Sequence, residues 1–411
     1  MIRKVDAGFP SDHAPNSRCK SATKANDDLT TASPEILLLR SPLLRWLFRG
    51  LVAVLALLAG ALAYAPYLPT LLAEGFPAPE WPAYGTFADI PGASQPEELG
   101  EPLQTSLSPG LAKIFDESGG KALLVYQGGQ LKLEHYASGF WRDTRFNSYS
   151  MAKSLVGLLT LRAIERGEMQ GLDMPLPRLG VTPHDLLDMK SGIIFETDEM
   201  KTASGQPEKD LEATISNPFG PMARLHVSGL EGLAAHLTSD PTKRGTFSYQ
   251  NVNTALLGSL LPAIDQRLAS EIWMPSGSHA AHWRRYGTGL DISAYCCLYA
   301  TARDWVLAGR FIMYNGTPDR PLLKDEFIEA FLGRTLSDDE LRKGAYRLHA
   351  WHDILDRAGE PLQGRFTYFM GNGGQAVYLM PEKDLVVVRF GTRPQLLHST
   401  LYEAWRQIVG P

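Results

Sequence analysis

Cysteine is scarce in this chain, which has three cysteines in 411 residues. Three cysteines cannot form the disulfide framework that stabilises small secreted domains, so a scaffold of that kind is excluded. Two of them, Cys296 and Cys297, are adjacent, and we expect them to fill space in the core rather than to pair with each other.

An excess of basic residues is also missing. The chain has 40 Lys and Arg against 45 Asp and Glu, a formal net charge of −5. Proteins that bind nucleic acids use Lys and Arg to neutralise phosphates. We therefore predict no nucleic-acid partner.

Several signatures of common enzyme classes do not occur in the sequence. There is no G-x-S-x-G elbow, no Walker loop and no G-x-G-x-x-G placed between a strand and a helix. His279/His282 and His349/His352 have H-x-x-H spacing, but no carboxylate pattern completes a metal site, so we expect structural histidines. The sequence thus predicts neither a metal ion nor another cofactor.

Charged side chains are absent from Gly50 to Ala73, where tyrosine is the only ionisable residue type. Residues 46–65 supply about 20 helical residues, enough to cross roughly 30 Å of hydrocarbon, and Pro66 ends the helix. A core helix of this length is seldom apolar on every face. We therefore predict one transmembrane helix over residues 46–65.

The charges that flank this helix predict its orientation. Arg45 and Arg49 lie at its N-terminal side, and the next Lys or Arg is Lys113. The positive-inside rule then leaves residues 1–45 in the cytoplasm and places the rest of the chain in the periplasm or outside the cell, held at the inner membrane. Two alternatives stay open: a signal peptide cleaved near Ala61–Ala63, and a misassigned start upstream of a true signal peptide.

Composition divides the remainder. Residues 1–45 are polar and predict a disordered cytoplasmic tail, whereas residues 66–105 are rich in proline and acids and predict a linker or an extended arm. Residues 106–411 are long enough to form one domain with a large core.

Periodicity predicts a mixed α+β domain whose sheet is assembled from both ends of the sequence. A hairpin is expected within Lys121–Tyr136 and two strands at Gln375–Met380 and Leu385–Gly391. Helices are expected at Ser150–Arg166, after Thr182 as N-cap, at Val252–Leu261, at Ala300–Tyr314 and at Gln395–Val409. The central helices then form an insertion between the terminal strands.

The candidate nucleophile is Ser150, followed at i+3 by Lys153. This spacing places the hydroxyl and the amine on one face at a helix N-terminus, where a lysine kept neutral by burial could accept the serine proton. Four S-x-x-K matches occur, and only this one opens a long apolar helix.

Tyr249-Gln250-Asn251 is the only Y-x-N in the chain and stands in a loop before a predicted helix. A tyrosine phenol needs a nearby cation to act as a base near neutral pH, and Lys153 could supply it. Asn251 could bind both the lysine and a substrate amide. Without the other elements, an ordinary turn would explain this segment equally well.

The segment Gly371-Asn372-Gly373-Gly374-Gln375 leads directly into a strand. Glycines let a backbone approach a substrate closely, so the N–H of Gly374 could form an oxyanion hole with the N–H of Ser150. A plain turn between two strands is the alternative.

In this order, Ser150/Lys153, Tyr249/Asn251 and Gly371–Gln375 resemble the serine β-lactamase/penicillin-binding-protein superfamily, over roughly residues 110–410. The resemblance is strongest to its class C-like branch, which holds esterases and 6-aminohexanoate-dimer hydrolases. It implies an antiparallel sheet flanked by helices plus an all-α subdomain, with the site between them.

The resemblance also implies roles. Ser150 would be acylated, Lys153 and Tyr249 would move the proton, Asn251 would orient the substrate, and Gly373, Gly374 and Gln375 would contribute to substrate and oxyanion binding. Aromatic residues of relatives suggest Trp351 and Tyr368 as pocket lining, with core packing as the equal alternative.

The substrate expected is a small ester or amide rather than a β-lactam. Penicillin-recognising relatives carry Lys-Thr-Gly or Lys-Ser-Gly at the last motif, where this chain has Gly371-Asn372-Gly373. Lys190-Ser191-Gly192 matches the string but precedes Tyr249. An unpaired substrate carboxylate costs several kcal/mol. A β-lactamase, a D-Ala-D-Ala carboxypeptidase and an inactive penicillin-binding-like scaffold are the alternatives.

Overall fold

A computed structural model describes residues 42–74, 86–195, 218–231, 233–234, 237–287, 291–394 and 396–409. The predicted tail therefore lies almost wholly outside the described residues. Two compact units divide the chain, Met1–Ala61 and Leu62–Pro411.

The described part of the first unit is the helix α1 (Pro42–Tyr64), whose last residues enter the second unit. None of its 23 residues is buried, and it is long and apolar enough to cross a membrane. It begins four residues before the predicted span of residues 46–65 and ends one residue before the end of that span. A signal sequence would have the same character.

Thirteen short strands form three sheets in the described part of the second unit. The large sheet has the order β3-β2-β13-β12-β11-β10-β9, the second β1-β5-β6-β4, and β7 pairs with β8. The strands are β1 Phe87–Ile90, β2 Gly120–Gln127, β3 Gln130–Tyr136, β4 Arg145–Asn147, β5 Ala281–Arg284, β6 Leu298–Thr301, β7 Gly316–Thr317, β8 Arg320–Pro321, β9 Ala345–Arg347, β10 Ala350–Leu355, β11 Gly364–Gly371, β12 Gln375–Met380 and β13 Leu385–Gly391.

Helices pack around these sheets. They are α2 Leu68–Glu74, α3 Pro109–Glu117, α4 Ala152–Glu165, α5 Pro183–Leu187, α6 Pro221–Ser228, α7 Asn251–Ser259, α8 Ile264–Leu268, α9 Ala302–Met313, α10 Asp325–Phe331, α11 Asp338–Arg342 and α12 Leu397–Val409. A capping box at Thr182 starts α5, as the sequence predicted.

The large sheet joins the two ends of the domain, which confirms the predicted α+β class. Strand β2, from the N-terminal hairpin, pairs antiparallel with β13, and Val125 lies opposite Val387. The hairpin and both C-terminal strands form where the sequence predicted them. All large-sheet pairs in the described residues are antiparallel.

Alternation along the strands builds one apolar core on each face of the large sheet. In β13, Val386 and Val388 face the core that includes α4 and α9, whereas Leu385 and Val387 face the core that includes α3 and α12. The first face carries the helical insertion and the candidate site, and the second is closed by the terminal helices.

Two expectations differ from the structure. The cysteine prediction is wrong, because Cys296 and Cys297 form a disulfide between neighbours, although both are buried. The backbone at Cys297 has a φ of 74°, and this left-handed conformation accompanies the close approach of the two side chains. The expected linker 66–105 contains α2 and β1, and β1 pairs with β5.

Candidate active site

Ser150 lies in a single 3₁₀ turn, Tyr149–Met151, immediately before α4. The preceding residue, Tyr149, has a φ of 46°, which is uncommon for a residue with a side chain. Its N–H donates to Asn147 Oδ1 at 2.9 Å, while Ser148 Oγ accepts from the Leu298 N–H at 3.0 Å. Neighbouring strands therefore hold the turn, and the candidate nucleophile Ser150 is half-buried.

Lys153 is one turn further along and is 1 % exposed. Its Nζ contacts three acceptors: Ser150 Oγ at 2.9 Å, Asn251 Oδ1 at 2.6 Å and the Tyr295 carbonyl at 2.8 Å. A neutral amine would donate to the last two and keep its lone pair for the serine proton. This arrangement can activate Ser150 as a nucleophile.

Tyr249 lies against the same amine through its ring. Lys153 Nζ is 5.1 Å from the Tyr249 ring centroid and 5.4 Å from that of Tyr295. Ring faces attract a cation, so both tyrosines favour placement of the amine between them. The structure thus brings Ser150, Lys153, Tyr249 and Asn251 together.

Asn251 is the first residue of α7, and its amide is oriented from both ends. Oδ1 accepts from Lys153, and Nδ2 points to Met222 Sδ at 3.4 Å. Met222 belongs to α6, so this helix forms part of the wall beside the site.

Trp351 belongs to this wall as well. Its ring is stacked on that of Tyr249, with centroids 6.0 Å apart and planes 23° apart, and it stacks in the same way on Tyr368. Tyr346 contacts Trp351 edge-on at 4.8 Å. Trp351 is half-buried and its ring contacts that of Tyr249, whereas Tyr368 is buried.

His349 supports the site from behind. Its carbonyl accepts from Ser154 Oγ at 2.6 Å, its Nε2 lies 2.9 Å from Thr254 Oγ1, and its Nδ1 lies 2.9 Å from the Leu187 carbonyl. Burial lowers the pKa of His349 to about 3, so the ring is neutral near pH 7. The residue connects α4, α7 and the strand that bears Trp351.

The glycine segment packs on the turn that bears Ser150 through Gly371. A Cβ on Gly371 would overlap the Ser148 carbonyl oxygen and come within 3.1 Å of Tyr149 Cβ. Corresponding atoms on Gly373 and Gly374 would instead meet β13 and the residues that follow it. Gly371 therefore lies against the turn Tyr149–Met151, whereas Gly373 and Gly374 leave no room for a side chain on the β13 side.

Gln375 and Arg389 hold this segment in place. The Gln375 side chain exchanges hydrogen bonds with the Gly391 backbone at 2.7 and 2.9 Å. Arg389 is fully buried and donates to the carbonyls of Ser118, Gly374 and Arg393. Burial lowers the pKa of Arg389 to about 10. Both side chains are engaged with backbone.

The Lys190-Ser191-Gly192 string lies outside the candidate site. Lys190 Nζ lies 3.5 Å from Asp188, and Ser191 Oγ donates to Asn253 Oδ1 at 2.6 Å. These contacts stabilise the α5–α7 region. In the parts of the chain that the structure describes, no group of three or more His, Cys, Asp or Glu could hold a metal ion.

The sequence did not predict a place at the site for four residues. They are Tyr295, which acts through its carbonyl, Met222, Tyr346, and His349, which has a supporting role. A backbone acceptor has no side-chain signature. Met222 and Tyr346 reach the site only through the packing of distant segments. His349 appeared in an H-x-x-H pair, but spacing alone gave no indication of its contacts.

Comparison with known proteins finds one family over most of the chain. The model of the Beta-lactamase family matches residues 111–409. The 6-aminohexanoate-dimer hydrolase of Paenarthrobacter ureafaciens is 24% identical over 313 residues, covering 70% of this chain and 76% of that protein.

Two solved structures share the fold. A Bacillus anthracis protein, provisionally named a 6-aminohexanoate-dimer hydrolase, has a TM-score of 0.62 at 18% identity, covering 79% of this chain and 90% of its own. A penicillin-binding protein of Bacillus halodurans has a TM-score of 0.50 at 17% identity, covering 73% and 100%. Identities this low bear on the fold alone.

Proposed function

Because this chain belongs to the beta-lactamase family and is a serine hydrolase, we propose that it cleaves an ester or amide bond through an acyl-enzyme on Ser150. The observation that carries the proposal is the position of Lys153 Nζ, 2.9 Å from Ser150 Oγ and held by two further acceptors.

In the acylation step, Ser150 Oγ attacks the substrate carbonyl while its proton passes to neutral Lys153. The tetrahedral intermediate collapses as the leaving alcohol or amine takes a proton, which Tyr249 and Lys153 supply between them. Water then attacks the acyl-enzyme, gives its proton to the same pair of side chains and releases the acid, so that Ser150 regains its proton.

The oxyanion of each intermediate needs two N–H donors. The Ser150 N–H is one. We propose the N–H of Gly374 as the second, in the segment whose Gly371 packs on the turn that bears Ser150. Gln375 contributes by holding the segment against β13.

The charges near the site favour a substrate without a carboxylate at the scissile end. The guanidinium beside the glycine segment, Arg389, is buried and bonded to carbonyls, and Lys190 is paired with Asp188. Trp351 and Tyr346 give one wall an apolar, aromatic character. A small or linear acyl group fits this setting, and the named relative from Paenarthrobacter acts on a 6-aminohexanoate dimer.

The chain is also proposed to be a single-pass protein of the inner membrane, with α1 as its anchor and the hydrolase domain periplasmic or extracellular. The support is the length and apolar character of α1 and the presence of Arg45 and Arg49 at its N-terminal end. Alkaline phosphatase fused after residue 75 should be active, whereas a cytoplasm-only reporter should not. A mature chain that begins near Tyr64 would show a cleaved signal peptide instead.

The enzymatic proposal is tested with the full chain in nonionic detergent, wild type beside Ser150→Ala. Hydrolysis of p-nitrophenyl butyrate should occur with wild type and disappear in the variant. Equal rates in both would contradict Ser150 as the nucleophile. Turnover of nitrocefin at a low KM would favour the β-lactamase alternative, and an inert wild type would favour the scaffold.

A further inference from the structure

The segment that follows α1 is part of the hydrolase domain. Ala65, Tyr67 and Leu71 are buried, at 0%, 7% and 1% exposure, and they form one apolar cluster with Ala223 and Val227 of α6. The chain therefore reaches the domain surface at a defined place, directly beside α6, within a few residues of the end of α1.

Helix α6 has a second side that faces the catalytic groups. Met222 Sδ lies 3.4 Å from Asn251 Nδ2, and His226 Nδ1 lies 3.0 Å from the Tyr295 hydroxyl. Asn251 and the Tyr295 carbonyl are the two acceptors that hold Lys153. One short helix thus contacts both the membrane-proximal segment and the partners of the catalytic lysine.

The surface where the segment after α1 meets α6 is apolar and aromatic. Tyr64, Leu72 and Phe219 are 78%, 75% and 52% exposed, and the Tyr64 and Phe219 rings lie 6.4 Å apart. Arg224 is exposed on α6 and is close enough to Tyr67 to act on it electrostatically. Aromatic and apolar side chains with a cation beside them suit the boundary between acyl chains and phosphate headgroups.

The distance from this patch to the chemistry is short. Phe219 precedes Met222 by three residues, at most about 11 Å of chain. Met222 touches Asn251, which touches Lys153. At the cleft itself, Phe247 is 43% exposed, with its ring 6.0 Å from that of Trp351. Apolar surface is therefore present both at the membrane-proximal patch and beside the catalytic tyrosine.

We propose that the patch formed by Tyr64, Leu72, Phe219 and Arg224 lies against the lipid bilayer, and that the Ser150 site takes acyl esters held in that bilayer. The proposal rests on the proposed function, both the acyl-enzyme on Ser150 and the anchor α1. Continuity with the membrane helix argues for lipid as the occupant, since Tyr64 is its last residue. An ester presented at the interface could then enter along α6 without crossing bulk water.

The test uses the full chain in lipid nanodiscs of phosphatidylethanolamine and phosphatidylglycerol. Two substrates with the same reporter are compared, p-nitrophenyl butyrate in the water phase and p-nitrophenyl palmitate dissolved in the bilayer. The readout is the ratio of the palmitate rate to the butyrate rate, so a change in folded fraction cancels. The variant Leu72→Ser/Phe219→Ser removes exposed apolar area from the patch.

This variant should lower the ratio about tenfold or more, because two apolar side chains no longer hold the domain to the lipid. The matched control is Leu103→Ser/Trp141→Ser, whose side chains are 59% and 61% exposed elsewhere on the domain. Its ratio should equal that of wild type.

An unchanged ratio in the Leu72/Phe219 variant overturns the proposal. The ratio is also unchanged if both rates fall together, which would happen if the patch stabilised the fold or bound a second copy of the chain. An equal drop in the control overturns it too. Failure of the proposed function is distinguishable, because it would appear either as butyrate hydrolysis that persists in Ser150→Ala or as a wild type that hydrolyses neither substrate.

Discussion

The Nζ of Lys153 lies 2.9 Å from the Oγ of Ser150, on a lysine that is 1 % exposed. Replacing this amine with a guanidinium puts a permanent positive charge at this place and removes a group that can accept a proton. Lys153→Arg should therefore lower kcat/KM for p-nitrophenyl butyrate by at least about 10³-fold, as loss of a catalytic base does. A variant within tenfold of wild type would show that Lys153 is not the base.

Asn251 should matter for catalysis more than for stability. Asn251→Ala removes the acceptor 2.6 Å from Lys153 Nζ, and the resulting freedom of the amine should cost about 10- to 100-fold in kcat. The control is Asn253→Ala in the same helix, which breaks a buried hydrogen bond with Ser191 instead. It should lower Tm at least as much and leave kcat within threefold. Equal losses of kcat would assign both residues to folding.

Gly371 should tolerate no side chain. In Gly371→Ala the new Cβ would overlap the Ser148 carbonyl oxygen, so the turn that presents Ser150 must shift. A displacement of about 1 Å in a catalytic group can cost 10²-fold, and we expect a loss of that order in kcat/KM. Gly171→Ala, where nothing lies within 4 Å of the added atom, should leave kcat/KM unchanged. Full activity of Gly371→Ala would remove this glycine from the site.

Burial of His352 should make stability depend on pH. Burial lowers the pKa of His352 to about 4 in the folded chain, against about 6.5 when unfolded. Between these values only the unfolded chain takes up the proton, so the free energy of unfolding falls as the pH falls, by up to about 1.4 kcal/mol per pH unit.

Urea unfolding of the full chain in nonionic detergent, at pH 7 and pH 5, measures this effect. His352→Asn lacks the titrating ring, so its loss of stability between the two pH values should be smaller than that of wild type by about 2 kcal/mol. An identical pH dependence in both proteins would show that His352 is protonated or exposed in the folded state.

Local signals accounted for much of the fold. The Gly128-Gly129 turn between two apolar runs gave the β2–β3 hairpin, and Thr182 before Pro183 gave the start of α5, because caps and turns depend on neighbouring residues. Helix α6 was not predicted, since its eight residues lie in a segment without clear periodicity. The disulfide between Cys296 and Cys297 was also not predicted, because the backbone conformation at Cys297 depends on the surrounding fold.

The candidate catalytic side chains could be proposed from sequence because each needs a particular chemistry in a particular order: Ser150 with Lys153 one turn later, then Tyr249 and Asn251. The residue types alone determined this much. Only the tertiary structure decided that the Tyr295 carbonyl completes the set of acceptors around Lys153 and that Gly371 packs on the nucleophile turn. It also brought α6 between the membrane-proximal segment and Asn251. These contacts join residues far apart in the chain, and their positions follow from how strands and helices pack, which no local pattern encodes.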